Sequence, residues 1–381
     1  MNKELRKGLR TWIEIDKKAI KHNYAVFRGL IARKTKMLGV VKSNAYGHNL
    51  PEFAQELAKL GVDYLAVDSV VEGMALRKEG VKTPILVLGY TLPEMLEKAV
   101  TNHLEITVSN FDYFTQINNL NLSHPVRVHI KVDSGMHRHG FQGSDLKKVL
   151  EQVKINKNKI AVVGLYTHFA AAKNPAFPKE TQAQIKIFND WREAFKKEGL
   201  NPVCHACATS GILLFPEAYF DMVRIGIGLY GIWPSREAEA FLKNKIELKP
   251  VLSWKTVIGE INTVKKGERI GYDFTERLER DSKVAILPVG YWHGFPRALS
   301  GIGQVIIAGH KCKILGRVCM DIVMADITDV KKVKVGDEVT LIGREGKSGI
   351  TVDDLATLLD VSSYELVTRI NPLIKRIYLD K

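Results

Sequence analysis

Short apolar runs alternate with amphipathic stretches over the first two thirds of the chain. Clusters of branched apolar residues predict strands that are buried on both faces, as in a parallel sheet. We predict eight such strands, at residues 37–42, 63–68, 84–88, 104–108, 126–132, 160–166, 202–207 and 221–226. Helical periodicity fills the intervals, for example at residues 50–60, 70–78, 93–102 and 144–153. Eight strands separated by helices predict an α/β fold with an N-terminal (β/α)8 TIM barrel.

The pattern changes at about residue 245. Beyond it, strands are predicted at residues 251–264, 284–289, 304–307, 311–315, 322–326 and 338–342, with a short helix at 351–358. Glycine and polar turns separate these strands, which is typical of a mainly β domain. We therefore predict a barrel domain at residues 11–245 and a C-terminal mainly β domain at residues 246–381.

The chain begins with an alternating segment, residues 11–15, that predicts a short strand. Asp16 follows it as the expected N-cap of a helix. The apolar face of that helix carries Ile20, Tyr24, Phe27 and Ile31.

Composition and charge narrow the classes of protein. The chain has 381 residues, 45% hydrophobic and 26% charged, as in ordinary globular proteins. No apolar run reaches the ~18 residues of a membrane span, and residues 1–7 lack the apolar region of a signal peptide. We therefore expect a cytoplasmic protein. The net charge of +14 could suit nucleic acid, but no dense Lys/Arg block is present, so we expect no nucleic-acid partner.

The four cysteines include a C-x-x-C pair, Cys204 and Cys207. Redox or zinc chemistry would use such a pair, but no second Cys/His pair stands at zinc-site spacing. We expect reduced, buried thiols and no metal site.

One lysine occupies an unusual position. The apolar residues 37–41 lead directly into Lys42, and small, turn-forming residues follow it. At the end of a buried strand, desolvation favours a neutral amine, which attacks carbonyl compounds. The alternative is a lysine whose ammonium reaches water along its alkyl stem. The lysine alone leaves both interpretations open.

Two glycine- and hydroxyl-rich segments follow the seventh and eighth predicted strands. They are HACATSG at residues 205–211 and RIGIGLYG at residues 224–231. Barrel enzymes often bind phosphate after these strands, where small residues let backbone N–H groups approach the anion. Each segment alone would be an ordinary turn, whereas the two together favour a phosphate site.

The run VVKSNAYGHN, residues 40–49, closely resembles the cofactor-lysine signature of the alanine racemase family. Members of that family bind pyridoxal 5'-phosphate (PLP) in a fold-type-III barrel. The resemblance extends from about Thr11 to Tyr378. In the family the strand before the first helix belongs to the second domain, which implies that the strand at residues 11–15 joins the C-terminal β domain. The resemblance also implies that Lys42 binds PLP and acts as a catalytic base, with Tyr46 beside the phosphate.

Further matches imply the rest of the cofactor site. HIKVDSGMHR, residues 129–138, resembles the family's K-x-D-x-G-M-x-R pattern, and YTHFA, residues 166–170, contains a matching histidine. By resemblance the phosphate is held by Thr209, Gly226, Ile227 and Tyr364, while Arg224 faces the pyridine nitrogen, Arg138 contacts the phenolic oxygen and the substrate carboxylate, and His168 packs against the ring. Lys131 matches a lysine that is carbamylated in many members. The alternative is an unmodified Lys131 that pairs with a nearby carboxylate.

The second half matches the family as well. Tyr272, in RIGYDFT, corresponds to the second base of a two-base mechanism, and a racemase needs bases on both faces of a planar carbanion. Tyr291, Met320 and Asp321 match residues around the substrate. In the family these four residues come from the partner subunit, so the resemblance implies a head-to-tail homodimer.

The chain departs from the family pattern at five positions. The family usually has G-M-G-R-L-G where this chain has GMHRHG, often has Asn at position 208, and usually has G-Y-x-D-G where this chain has GYWHG. The differing residues are His137, His139, Ala208, Trp292 and His293. We expect these differences to alter the cofactor shell, the dimer contacts or the substrate entrance.

The resemblance implies PLP-dependent racemisation of alanine, supplying D-alanine for peptidoglycan. A serine or broad-specificity racemase is the nearest alternative. A fold-type-III decarboxylase is disfavoured by the match at Tyr272, and a PLP carrier without turnover is disfavoured by the presence of residues 246–381.

Overall fold

The computed structural model describes residues 3–380. They form two compact units. The barrel unit contains residues 20–45 and 50–249, and the sheet unit contains residues 3–19, 46–49 and 250–380. The sheet unit thus takes a strand and a four-residue segment from the N-terminal half of the chain.

The first strand, β1 (Thr11–Asp16), leads directly into helix α1 (Lys17–Leu30). Asp16 caps the helix as predicted, because its carboxylate accepts bonds from the N–H groups of Lys18 and Ala19 at 2.8 and 3.1 Å. On the predicted apolar face, Ile20 and Phe27 are fully buried.

Eight parallel strands close into a barrel in chain order. They are β2 (Lys36–Val40), β3 (Tyr64–Val67), β4 (Ile85–Val87), β5 (Leu104–Val108), β6 (Val126–Lys131), β7 (Ile160–Tyr166), β8 (Val203–His205) and β9 (Met222–Ile225). Strand β9 returns to β2, with Arg224 opposite Leu38. The predicted TIM barrel is confirmed, with every predicted strand present to within two residues at each end.

Helical segments connect the barrel strands. They are α2 (Lys42–Tyr46), α3 (Leu50–Lys59), α4 (Val70–Lys78), α5 (Leu96–Thr101), α6 (Asp112–Asn119), α7 (Leu146–Ile155), α8 (Pro178–Lys197), α9 (Thr209–Leu214) and α10 (Arg236–Leu242). Apolar side chains of these helices, such as Phe53, Leu57 and Phe188, are fully buried. Among residues 3–380, no helix combines the length and the apolar character needed to cross a membrane.

The sheet unit is mainly β, as predicted. Its later strands are β10 (Leu252–Val257), β11 (Glu260–Val264), β12 (Arg269–Ile270), β13 (Glu276–Arg277), β14 (Ser282–Leu287), β15 (Gln304–Ile307), β16 (His310–Leu315), β17 (Val323–Asp326), β18 (Glu338–Glu345), β19 (Ser348–Ile350) and β20 (Arg376–Leu379). The main sheet has the order β11-β14-β17-β16-β15-β18-β10-β1-β20, with β19 beside β18, and β12 pairs only with β13. Helices α11 (Val352–Leu359) and α12 (Ser363–Thr368) precede β20.

The single strand predicted at residues 251–264 is wrong, because the chain changes partners in its middle. Strand β10 pairs with β18, whereas β11 pairs with β14. At the junction the N–H of Ile258 donates to Asp337 O, and the N–H of Gly259 donates to Ile286 O. The break falls beside Gly259 and Glu260, where the apolar run is interrupted.

Helix α2 is a left-handed turn. Ser43, Asn44, Ala45 and Tyr46 have φ values of 56°, 55°, 50° and 51°. Each non-glycine residue in the left-handed region of φ/ψ space costs roughly 1–2 kcal/mol, so contacts with the surrounding structure must stabilise this turn. In the barrel unit, the Asn44 side-chain oxygen accepts a bond from the N–H of Leu50 at 2.9 Å.

The segment 46–49 is held within the sheet unit by strand β20. Arg376 Nε donates to Gly47 O at 3.0 Å, and Tyr378 OH donates to His48 O at 2.8 Å. Gly47 has φ of 81°, and a Cβ there would lie 2.0 Å from Val367 O. Only glycine therefore fits at position 47.

We expect Gly47→Ala to destabilise the protein by about 3 kcal/mol or more, because it combines an unfavourable φ with a backbone clash. Gly309→Ala is the matched control, since Gly309 has φ of 78° and a Cβ there would meet nothing within 4 Å. The control should cost only about 1 kcal/mol. Urea unfolding followed by tryptophan fluorescence measures both. Equal losses for the two variants would contradict the argument.

Candidate active site

Positive groups gather at the carboxyl ends of the barrel strands. The charges of Arg224, Arg138, Lys131 and Lys42 all act on the buried side chain of His168. Lys42 follows β2, His168 follows β7, and Lys131 is the last residue of β6. Arg138 lies in the loop after β6, and Arg224 lies within β9. The structure therefore brings together five predicted site residues that are up to 182 positions apart (42 to 224) in the chain.

Lys42 comes two residues after the end of β2. Its side chain is 38% exposed, and its Nζ lies 3.1 Å from Asp68 Oδ1. Of the two interpretations left open by the sequence, this geometry fits the lysine whose amine reaches water. Asp68 directly follows the neighbouring strand β3, so its carboxylate lies beside the amine. The amine remains accessible for covalent chemistry.

Arg224 is buried, and both of its Nη groups are hydrogen-bonded. Its Nη2 donates to Thr167 O and Ala206 O, both at 2.7 Å, and its Nη1 donates to His205 Nδ1 at 2.7 Å. Burial lowers the pKa of Arg224 to about 10, so the guanidinium stays charged at neutral pH. His168 lies 3.3 Å from Nη2, and burial, followed by the charge of Arg224, lowers its pKa to about 3. His168 is therefore a neutral imidazole.

The loop after β6 is wound around a single carboxylate. Asp133 Oδ1 accepts bonds from the N–H groups of Gly135, Met136 and His137 at 2.8–3.0 Å, and Oδ2 accepts from the N–H of Arg138 at 3.0 Å. Burial alone would raise the pKa of Asp133, but these four bonds lower it below its usual value. His137 has φ of 52°, a left-handed conformation that suits the glycine usual in the family better.

Lys131 makes an unexpected hydrogen bond. Its Nζ lies 3.2 Å from His139 Nδ1, and His139 Nε2 lies 2.6 Å from Ser109 Oγ. Burial, together with the nearby charges of Arg138 and Arg224, lowers the pKa of Lys131 to about 8. The hydrogen-bond partner of Lys131 is thus the imidazole of His139, whereas the alternative prediction was a carboxylate. Position 139 is one of those at which the chain departs from the family pattern.

Thr209 and the segment after β9 form a small donor site. Thr209 Oγ1 accepts bonds from the N–H groups of Gly226 and Gly228 at 3.1 and 3.4 Å. A Cβ at Gly228 would lie 2.4 Å from the Phe27 ring, so glycine is required there. Thr209, Gly226 and the adjacent Ile227 are all buried. A hydroxyl among converging N–H groups suits a phosphate, as predicted for these residues.

Tyr46 and Tyr364 come together within the sheet unit. Their ring centroids are 5.9 Å apart and the rings are tilted by 52°. Burial raises the pKa of Tyr46 to about 12 and also raises that of Tyr364. Both phenols therefore keep their protons and are available as hydrogen-bond donors.

Tyr291 lies against the segment that carries Met320 and Asp321. The N–H of Tyr291 donates to Cys319 O, and the N–H of Trp292 donates to Met320 O, both at 3.0 Å. A Cβ at Gly290 would lie 2.2 Å from Cys319 O, so the two segments meet at backbone distance. The structure thus brings the predicted substrate residues Tyr291, Met320 and Asp321 together.

Tyr272 lies on the turn between β12 and β13. Its side chain is 69% exposed, and Phe274 on the same turn is 64% exposed. The following Asp273 forms an ion pair with Arg317 at 2.8 Å. In this chain Tyr272 therefore points to solvent from a turn that an ion pair holds.

Sequence reasoning missed Asp68, Asp133 as a loop anchor, and the buried pair Glu105 and His129. Each of these residues lies in a barrel strand or shortly after one. A polar residue within or near the end of a predicted buried strand was therefore the sequence signal that could have identified them. Among residues 3–380, no cluster of three or more His, Cys, Asp or Glu side chains is placed to hold a metal.

Comparisons with known proteins point to one family. The family model "Alanine racemase, N-terminal domain" matches residues 15–234, and "Alanine racemase, C-terminal domain" matches residues 251–378. An alanine racemase of Halothermothrix orenii is 39% identical, with 100% of this chain and 99% of the relative covered. "Alanine racemase 2" of Oceanobacillus iheyensis is 37% identical, with 97% and 93% covered.

Solved structures agree. An alanine racemase of Clostridium difficile has a TM-score of 0.91 to this chain at 34% identity, with 97% of this chain and 96% of that chain covered. An alanine racemase of Bacillus anthracis, solved with bound L-Ala-P, has a TM-score of 0.92 at 33% identity, with 98% and 96% covered.

We expect the amine of Lys131 to lose its proton with a midpoint near pH 8. Competitive labelling with acetic anhydride, read by mass spectrometry of the Lys131 peptide across pH 6–11, measures this midpoint. His139→Leu should lower it further, because the ammonium loses a hydrogen-bond acceptor. Since the folded pKa lies below the unfolded value, the unfolded chain binds more protons between pH 8 and about 10.5, and stability contributed by Lys131 rises with pH there. A midpoint near the ordinary value of ~10.4 would contradict the assignment.

Proposed function

Because the chain belongs to the alanine racemase family, we propose that it interconverts L-alanine and D-alanine with PLP as its cofactor. The observation that carries this proposal is the gathering of Lys42, Lys131, Arg138, His168 and Arg224 at the end of the barrel where such folds place active sites. We assign the D-alanine to peptidoglycan synthesis. The cytoplasmic location stays a prediction from the sequence.

The residues present fit PLP. Lys42 offers an accessible primary amine for the aldehyde, and Thr209, whose Oγ1 accepts from the N–H groups of Gly226 and Gly228, keeps its hydroxyl proton to donate to the phosphate. Within the sheet unit, Tyr46 and Tyr364 keep their protons, and they stay predicted phosphate ligands from the family resemblance alone. When bound, PLP withdraws electrons from the α-carbon of an attached amino acid, which makes the α-proton removable.

Arg224 suits racemisation better than other PLP chemistries. If Arg224 faces the ring nitrogen, as the family resemblance implies, its guanidinium would stay charged and would not transfer a proton to that nitrogen. PLP held in this way would withdraw electrons less strongly than PLP paired with a carboxylic acid. Milder withdrawal limits the side reactions that a long-lived carbanion would permit.

Two residues would move the α-proton. Lys42 Nζ removes or returns it on one face of the planar carbanion, and Tyr272 Oη acts on the opposite face. Arg138 would bind the substrate carboxylate, since the loop around Asp133 fixes its backbone. Tyr291, Met320 and Asp321 would line the substrate side. The lowered pKa of Lys131 supports its carbamylation, because carbamates form on neutral amines.

A homodimer with shared active sites follows from the exposure of the second base. Apolar and aromatic side chains stand exposed on the sheet unit, namely Tyr272, Phe274, Tyr291, Trp292 and Met320 at 69%, 64%, 43%, 50% and 53%. Exposed apolar groups of this size usually mark an interaction surface. We propose that a second copy of the chain covers them and places its barrel site at Tyr272.

We expect purified protein with PLP to convert L-alanine to D-alanine, and Lys42→Ala to lower kcat by about a thousandfold or more, because the variant loses an acid–base group. Lys34→Ala, an exposed lysine of the barrel unit, is the control and should leave kcat unchanged. Chiral chromatography of the products measures both, with L-serine run alongside. D-serine formation at a comparable rate would favour the broad-specificity alternative. An absence of any D-product from the wild type would overturn the proposal.

Mixing two inactive variants tests whether Tyr272 acts across subunits. Lys42→Ala and Tyr272→Phe, unfolded and refolded together, give heterodimers with one site that has both bases, if each site takes Tyr272 from the other chain. Random pairing should then restore about a quarter of wild-type activity, since half the dimers carry one intact site of two. If Tyr272 serves its own chain, the mixture should stay as inactive as either variant. Each variant refolded alone is the control.

A further inference from the structure

A chain of buried polar side chains crosses the inside of the barrel unit, and the proposed function uses only its last member, Arg224. Glu105 on β5, His129 on β6, His205 on β8 and Arg224 on β9 are exposed by 2%, 0%, 0% and 3%. Glu105 Oε2 lies 2.7 Å from His129 Nε2, His129 Nδ1 lies 2.9 Å from His205 Nε2, and His205 Nδ1 lies 2.7 Å from Arg224 Nη1. The chain links a buried carboxylate to a buried guanidinium through two imidazoles.

The packing shows that this arrangement is built into the barrel. A Cβ at Gly164 would lie 1.9 Å from His129 Nδ1, so only glycine leaves room for the imidazole. The ring of Tyr166 stacks on His205 with centroids 4.7 Å apart and planes 2° from parallel. Neither imidazole can therefore turn freely.

The direction of every hydrogen bond in the chain follows from Arg224. A guanidinium only donates, so His205 Nδ1 must accept and His205 must carry its proton on Nε2. That proton is donated to His129 Nδ1, which leaves the proton of His129 on Nε2, where it is donated to the Glu105 carboxylate. Both histidines are thus neutral Nε2–H tautomers. The series ends at Glu105, whose carboxylate accepts a hydrogen bond and donates none.

Glu105 is suited to that terminal role. Burial alone would raise its pKa, but the bonds from His129 and Arg127 lower it below the usual value, so the carboxylate stays charged. Arg127 donates two bonds to Oε1, at 2.6 and 2.9 Å, and its side chain is 51% exposed. The other oxygen is left to accept from His129.

We propose that Glu105 is a positioning residue for Arg224: through His129 and His205 it sets the tautomer that presents a lone pair to the guanidinium and holds it in place. The inference rests on the proposed function, since it is the racemase reaction that gives Arg224 its task at the cofactor ring. Without Glu105, His205 could carry its proton on Nδ1 and point an N–H group at Arg224 Nη1. Two facing donors repel each other, so the guanidinium would shift.

Glu105→Gln tests this with almost no change of shape. The amide has one oxygen, and Arg127 and His129 both need it. If Arg127 takes the oxygen, the NH2 group faces His129 Nε2 and reverses both tautomers, which places an N–H against Arg224. We expect kcat for alanine racemisation to fall ten- to a hundredfold with KM changed less than threefold, as is usual when a group supporting a catalytic side chain is lost.

The readout that does not depend on catalysis is the imidazole tautomer in the apoprotein. Long-range 1H–15N correlation spectra of 15N-histidine-labelled protein should show Nε2–H forms for His129 and His205 in the wild type. In Glu105→Gln at least one should change tautomer. Adding Arg127→Met should free the amide oxygen for His129 and restore the wild-type tautomers and most of kcat. Glu56→Gln, which breaks an ion pair with Lys59 on α3, is the control and should change neither readout.

The outcomes separate the two proposals. Wild-type protein that makes no D-alanine overturns the proposed function, whereas the tautomer spectra still test the hydrogen-bonded chain. Glu105→Gln with wild-type tautomers, or with changed tautomers and undiminished kcat, overturns the positioning role. A loss of kcat that Arg127→Met does not relieve also overturns it, because simple structural damage would not be rescued by a second substitution.

Discussion

A guanidinium buried inside a barrel must find an acceptor for every N–H group, and much of the site follows from how Arg224 does so. Its acceptors are the backbone oxygens of Thr167, Ala206 and His205 together with the His205 ring. These groups lie at the carboxyl ends of β7 and β8, so satisfying one side chain fixes the ends of two strands relative to β9. His168 and Thr209 follow those same strand ends, and their positions are thereby set.

Gathering this much positive charge is costly unless anions occupy the site. Arg138, Arg224 and Lys42 each disfavour the charged form of Lys131, and only Asp133 among its main influences favours it. A cofactor phosphate, a substrate carboxylate and a carbamate on Lys131 would each relieve that repulsion. The charge balance of the described residues thus supports anionic ligands independently of the family resemblance. An anion that binds there would also stabilise the folded protein, because it binds the folded state and relieves the repulsion.

The barrel was predictable from the sequence because buried parallel strands leave continuous apolar runs, and all eight are visible. The left-handed turn after Lys42 was not, since its φ values depend on bonds to Leu50 and on strand β20, which is more than 300 residues distant. Pairings such as Lys42 with Asp68, or Lys131 with His139, were equally hidden. They join residues on neighbouring strands or loops, and only the register between strands decides which polar groups meet.

The two departures beside Tyr291 have different physical consequences. His293 is buried, and its Nδ1 accepts a bond from the N–H of Gly290 at 3.2 Å. With that nitrogen engaged as an acceptor, His293 has no Nδ1 proton to share with Asp321 Oδ1, 3.8 Å away. It therefore closes the 290–293 turn and does not neutralise the carboxylate. Trp292, by contrast, is 50% exposed. Trp292 is thus the exposed member of this pair of departures, while His293 closes the turn that contains Tyr291.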